Sequence, residues 1–203
     1  MKFRLQAVLL TILIIGAGLA TQLPVKSWAD KTGLKTVASV DLSRYMGKWY
    51  EIAAIPMYFE RNCHGETTAE YTLLPDGLVK VVNSCDTASH KRIAAEGRAK
   101  VTDAKTNARL KVTFLNWFGW RWFAGGDYWI TDLARDYSYV LIGHPSRKYA
   151  WILSRTPSLP NETLEALSVK LKAQGYNPCD LVSQKQAGGI QGRFSLCVLT
   201  GQH

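Results

Sequence analysis

The 203-residue chain holds only four cysteines and four histidines, and it has no Cys-x-x-Cys pair. Neither residue type falls at the spacing of a zinc site, so a structural zinc module is excluded. Acids are scarce: 16 Asp and Glu face 25 Lys and Arg, a formal net charge of +9 at pH 7. A basic excess of that size first suggests an anionic partner, either nucleic acid or an acidic lipid surface. Long apolar runs are missing beyond the first residues, which rules out a polytopic membrane protein. The chain is too short for two large domains and shows no internal repeat. What it has in abundance is apolar and aromatic side chains. It is 47% hydrophobic and 20% charged, with seven Trp, so it can build a core and is not a disordered chain.

The amino terminus reads as an address. Lys2 and Arg4 precede the apolar run Leu5 to Leu19, and Ser27-Trp28-Ala29 offers a small-x-small cleavage site before Asp30. Gly18-Leu19-Ala20 is a second such site. This is the three-part pattern of a secretory signal peptide over residues 1–29. The run is short for an uncleaved membrane span. The first cysteine is Cys63, so a lipoprotein signal is not expected. Cleavage removes Lys2, Arg4 and Lys26 and no acid, lowering the charge from +9 to +6. Export, periplasmic or secreted, places Cys63, Cys85, Cys179 and Cys197 in an oxidising compartment as disulfides, with three connectivities open.

The middle of the chain reads as eight short strands. Trp49 to Ile55 comes first. Thr67 to Leu74 and Leu78 to Val82 flank the turn sequence Pro75-Asp76-Gly77 and make a hairpin. Arg92 to Val101, Leu110 to Phe114, Asp127 to Thr131, Tyr137 to Gly143 and Tyr149 to Arg155 follow. Close, regular spacing means an all-β sandwich or barrel. One helix comes next, with Ser158 or Asn161 as cap, Pro160 in its first turn and Gly175 at its end. Leu164, Leu167, Val169 and Leu171 are its apolar face. Tyr176 to Val182 is a short extended segment, and a Gly- and Gln-rich tail begins at Ser183.

These residues carry a resemblance. Gly47-Lys48-Trp49-Tyr50-Glu51 fits the first lipocalin signature, Gly-x-Trp. Asp136-Tyr137 resembles the second, whose Thr-Asp-Tyr form is not intact here. Trp151 to Pro157, centred on Arg155, matches the third. The stretches Arg44 to Glu51, Phe59-Glu60-Arg61 and Thr68 to Tyr71 look most like the bacterial outer-membrane lipocalins and their apolipoprotein D-like relatives. The resemblance implies an all-β fold: an eight-stranded antiparallel up-and-down barrel with one carboxy-terminal helix packed outside. The domain would span 30–182, followed by an extension over 183–203. Trp49 should plug the base with the Arg155 guanidinium on its face, and Gly47 should let backbone approach closely; all three are expected to be structural.

By strand alternation and the family's register, Tyr71, Val79, Val81, Leu110, Val112, Phe114, Tyr128, Val140, Ile142, Trp151 and Leu153 face inward and are the candidate ligand contacts. The interior is expected to be apolar and aromatic, with few groups for acid–base work. The connections at the open end contain Arg61, His64, His90, Lys91, Arg92, Arg121, Arg147 and Lys148. They also contain the aromatic run Asn116 to Phe123, with Trp117, Trp120 and Trp122. A basic, aromatic rim suits anionic lipid head groups or a membrane surface. Cys63 and Cys85 both belong to that end in the family's layout, which favours Cys63–Cys85 with Cys179–Cys197. Pairings of Cys85 or Cys63 with Cys179 remain the alternative.

The resemblance implies a carrier of a small hydrophobic ligand, a fatty acid or lysophospholipid, with a role in membrane lipid storage or repair. No cofactor, metal or nucleic acid is called for, since the chain is exported and lacks a single-strand-binding motif. The alternatives are a retinoid, carotenoid or tetrapyrrole carrier, and a lipocalin-fold enzyme acting through Cys63 beside His64.

Overall fold

The computed structural model describes residues 33–201, so the expected signal segment lies outside the described residues. Eight strands form the wall: β1 (Gly47–Ala54), β2 (Gly65–Leu73), β3 (Val79–Asp86), β4 (Arg92–Val101), β5 (Arg109–Thr113), β6 (Gly126–Leu133), β7 (Tyr139–Gly143) and β8 (Ala150–Ser154). Each pairs antiparallel with the next, and β1 pairs with both β8 and β2, so the sheet closes into a barrel. Closure removes the unpaired edges that an open sheet leaves. A short ninth strand, β9 (Val182–Ser183), adds to the outer half of β1.

Local chemistry explains the tight connections. In the β2–β3 turn, the Leu78 amide donates to Asp76 Oδ1 (3.0 Å) and the Gly77 amide donates to the Leu74 carbonyl (3.0 Å). This is an aspartate turn of the kind that type of sequence favours. The strand expected to end at Val82 continues to Asp86 because β4 pairs with it along its whole length. The seventh strand starts at Tyr139 rather than Tyr137. Tyr137 instead has positive φ in the preceding turn, and its hydroxyl accepts from the Asp41 amide at the base.

Two cores result. Inside the barrel, Tyr45, Trp49, Tyr71, Val81, Ile130 and Val140 belong to one buried cluster. Outside, the helix α1 (Asn161–Ala173) covers the opposite faces of β1, β6, β7 and β8, where Ile52, Leu141 and Ile152 meet Leu164, Leu167 and Leu171. The buried helix face is Leu164, Leu167, Ser168 and Leu171, the i, i+3, i+4, i+7 stripe. Val169, expected on that face, is exposed because it falls on the far side of the stripe. Pro160 occupies the amino-cap position, with no capping side chain from Ser158 or Asn161. Gly175, with φ of +83°, ends the helix as expected.

The tail does more than trail behind the barrel. β1 and β2 pair only from Gly47–Tyr50 to Thr68–Tyr71, and β1 bulges at Ile52. Above that point the tail wedges between them. The Gln184 amide donates to the Ile52 carbonyl (2.9 Å), and the Glu66 amide donates to the Lys185 carbonyl (2.8 Å). The Gln186 side-chain amide donates to both the Glu51 (2.9 Å) and Thr67 (2.8 Å) carbonyls. Residues 182–187 are therefore part of the barrel wall at the open end. The Cys179–Cys197 disulfide ties the ends of this region together.

Candidate functional site

The base of the barrel is plugged. Trp49 is fully buried and donates its indole N–H to the Tyr45 carbonyl (2.9 Å). The Arg155 guanidinium lies 3.8 Å from the centre of the Trp49 ring and donates to the carbonyls of Arg44, Tyr45, Met46 and Lys48. One cation thus satisfies four backbone acceptors that close the base, while its face meets the indole. Gly47 has φ of +90°, a conformation costly for a side chain, and an added Cβ would sit 3.5 Å from the Arg155 guanidinium.

Above the plug, the hydroxyls of Tyr45 and Tyr71 both meet that of Tyr128, at 2.6 and 3.1 Å. Burial drives the phenols upward, Tyr71 to about 12, so the three stay neutral and bond one another. Over them opens a cavity of about 700 Å³. Tyr71, Val81, Val112, Phe114, Tyr128, Trp151 and Leu153 line it, as the alternation placed them. Val79 and Leu110 lie lower, around a small void of about 10 Å³ beside the tyrosines. Val140 and Ile142 point inward but are fully packed in the core cluster and do not reach the cavity. Phe114 lies over Gly97, where any Cβ would come within 2.8 Å of its ring, so the glycine makes room for it. A run of aromatic contacts climbs one wall from Tyr128 to Trp151, Tyr149 and His144. Burial holds the His144 imidazole below its usual value, and its Nδ1 meets the Ser146 hydroxyl (2.8 Å).

The interior departs from the apolar expectation on one side. Glu51 faces the cavity, only 5% exposed, and its Oε1 accepts from the Gln184 side-chain amide (2.9 Å). Burial, and then the neighbouring Glu60, raises its carboxyl well above the usual range. Glu60, on the turn Tyr58–Glu60 over the mouth, also lines the cavity and is raised to about 7 by burial. The sequence signal was present: Glu51 is two residues from Trp49 on one strand and shares its face.

The rim is less uniform than expected. Arg92 is bound to Asp86, Thr68 and the Glu66 carbonyl. Arg147 donates to Gln174 and Pro145 carbonyls, bracing the end of α1. Trp120 and Trp122 lie against Arg98 and Lys100, two cations of β4. Arg61 stacks on Tyr58. Lys91 and Lys148 are exposed, and Arg121 is half-buried. What projects is Trp117 and Phe118 at the tip of the β5–β6 connection, Phe123 in the same connection, and Tyr58 and Phe59 across the mouth. Cys63–Cys85 pins the Tyr58 loop to β3, so Cys63 carries no free thiol for the enzyme alternative.

A lipocalin-like domain model matches residues 40–186. The chain belongs to the lipocalin family. This lipocalin is 41% identical over 150 residues to temperature-induced lipocalin-1 of Arabidopsis thaliana, covering 73% of this chain and 80% of that one. It is 35% identical over 159 residues to the outer membrane lipoprotein Blc of Escherichia coli, covering 77% and 85%. Insecticyanin of the tobacco hornworm Manduca sexta shares the fold, with a TM-score of 0.61 at 23% identity, covering 76% of this lipocalin and 85% of the insect chain. The two disulfides fit an oxidising, exported setting.

Proposed function

We propose that this lipocalin binds and carries one small hydrophobic molecule, an acyl lipid such as a fatty acid or lysophospholipid. The reading rests on one observation: a cavity of about 700 Å³ above a sealed base, walled largely by apolar and aromatic side chains. Burying an acyl chain contributes about 0.8 kcal/mol per methylene, so ten methylenes supply about 8 kcal/mol before the cost of ordering. The exposed Trp117, Phe118 and Phe123, with Lys91 and Lys148 among the neighbouring connections, suit a membrane surface from which such a lipid would be taken or returned. The test is mass spectrometry of lipids extracted from the native protein, with uptake of a fluorescent fatty acid. Absence of any bound lipid together with no uptake refutes the reading. Loss of anionic-vesicle binding in Trp117→Ser/Phe118→Ser tests the membrane step separately.

A second reading is favoured by the aromatic wall Tyr128–Trp151–Tyr149, whose stacked rings suit a planar or polyene ligand. A retinoid, carotenoid or tetrapyrrole would show in the visible spectrum of the purified native protein.

A further inference from the structure

One side of the cavity holds buried polar atoms short of hydrogen-bond partners. Trp49 and Asn83 both pair with Ala69, so β1, β2 and β3 lie side by side there. Two residues above the Trp49–Ala69 pair, on the same inner face, stand Glu51 and Thr67, opposite one another across the seam. Glu51, Thr67 and Asn83 all line the cavity, and Glu60 joins them from the turn above. Thr67 is 6% exposed, and among the described residues neither its hydroxyl nor the Asn83 side-chain oxygen has a hydrogen-bond partner. Gln184 spends its amide on Glu51 Oε1. Unpaired buried polar atoms are costly, and the same burial raises the two carboxyls beside them.

We infer that this seam is a polar subsite for the ligand's head, and that the head it takes is a hydrogen-bond donor bearing positive charge, an amine. An ammonium supplies three donors and no acceptor; it can meet the Thr67 and Asn83 oxygens, and its charge favours the ionised, acceptor-only form of the Glu51 and Glu60 carboxyls that burial otherwise opposes. A carboxylate placed there would add a third acid beside two others. The inference rests on the carrier reading and narrows it: among acyl-chain amphiphiles the cavity prefers an amino head to a fatty acid's carboxylate. The Cys63–Cys85 disulfide, whose Cys85 lines the same cavity, keeps the Glu60 turn over the seam. Gln184, from the tail, is a positioning residue that orients Glu51.

The charged and titratable groups facing the seam are Glu60 on its turn, Arg193 on the tail and Tyr71 on β2. Arg193 acts to lower both carboxyls, against burial that raises them. Asp127 and His144 face the cavity from β6 and the β7–β8 connection. Above the range where Glu60 ionises, an ammonium gains a charged partner, so its affinity should rise with pH through neutrality.

The experiment uses the delipidated mature protein and three amphiphiles of one chain length: dodecylamine, dodecanol and dodecanoate, followed by Trp fluorescence below their micelle concentrations. Dodecylamine is expected to bind about tenfold or more tighter than dodecanoate, the size of one charge-assisted hydrogen bond lost or gained. Glu51→Gln should remove most of that preference, read as the ratio of the dodecylamine to the dodecanoate affinity. Glu60→Gln, on the turn outside the strands, should reduce it and abolish its rise between about pH 6 and 8. Thr67→Val is the companion variant if Glu51→Gln does not fold. Equal affinity for amine and acid, or a preference untouched by all three substitutions, overturns the inference while the carrier reading stands. No binding of any of the three overturns both.

Discussion

Gln186 is the residue whose loss tests the barrel's closure most directly. It is almost fully buried, and its amide nitrogen serves the Glu51 carbonyl of β1 and the Thr67 carbonyl of β2 at once. Gln186→Leu keeps the bulk and removes the donor. Two buried carbonyls then lose their partner, at about 1–3 kcal/mol each. The loss is partly offset because the Gln186 side-chain oxygen is itself buried with no partner among the described residues, and the substitution removes it. The net destabilisation is expected at about 2–4 kcal/mol. For a domain of this size that lowers Tm by about 5–15 °C. Urea unfolding should show a lower midpoint at unchanged slope, since the folded surface is the same. Hydrogen exchange should accelerate first at the Glu66 and Gln184 amides, which bond to the Lys185 and Ile52 carbonyls in the same seam. Gln191→Leu is the control, for that side chain is exposed and bonds only within the tail; its effect should be about 1 kcal/mol or less. A Gln186→Leu change no larger than the control would refute the claim that the tail closes the wall.

Other perturbations have defined outcomes. Cys179→Ser/Cys197→Ser opens a linkage of 18 residues, expected to cost about 3 kcal/mol by chemical denaturation and to speed exchange at the same seam amides. Trp49→Ala should cost about 3–5 kcal/mol, because a fully buried ring is deleted and the Arg155 face is left bare; near-UV dichroism and thermal melting report it. The ligand-free protein should lose stability as pH rises from about 4.5 through 7. Glu51 and Glu60 have folded values raised above their ordinary ones, so the folded state holds more protons than the unfolded state in that window. Glu51→Gln/Glu60→Gln should flatten the profile there, measured by urea midpoints at successive pH values.

Much of the architecture was legible because it rests on local rules. Leu110 and Val112 against Lys111 announced their own faces, and Pro75-Asp76-Gly77 announced its turn. Trp49, Arg155 and Gly47 were legible as a motif, and they meet at the base as the family's pattern implies. Val169 misled because four apolar positions close in sequence looked like one stripe until the helix pitch separated them. The rim misled for a different reason. Charges such as Arg92 and Arg147 have, besides their nearer partners Asp86 and Pro145, partners far away in the chain, Thr68 and Gln174, which no local pattern announces.

By itself, the sequence determined strand periodicity, the turns, the base motif and the even count of cysteines, since each depends on neighbours along the chain. Only the tertiary structure decided that β1 and β2 part above Tyr50, that Gln184 and Gln186 fill the gap, and that Glu51 faces Thr67 inside the cavity. Those facts depend on where a closing sheet runs out of register, a long-range property that no local pattern carries. The opening scarcity of acids was a property of the whole chain. Two of the few acids, Glu51 and Glu60, stand at the cavity, where burial gives each of them far more weight than a surface charge.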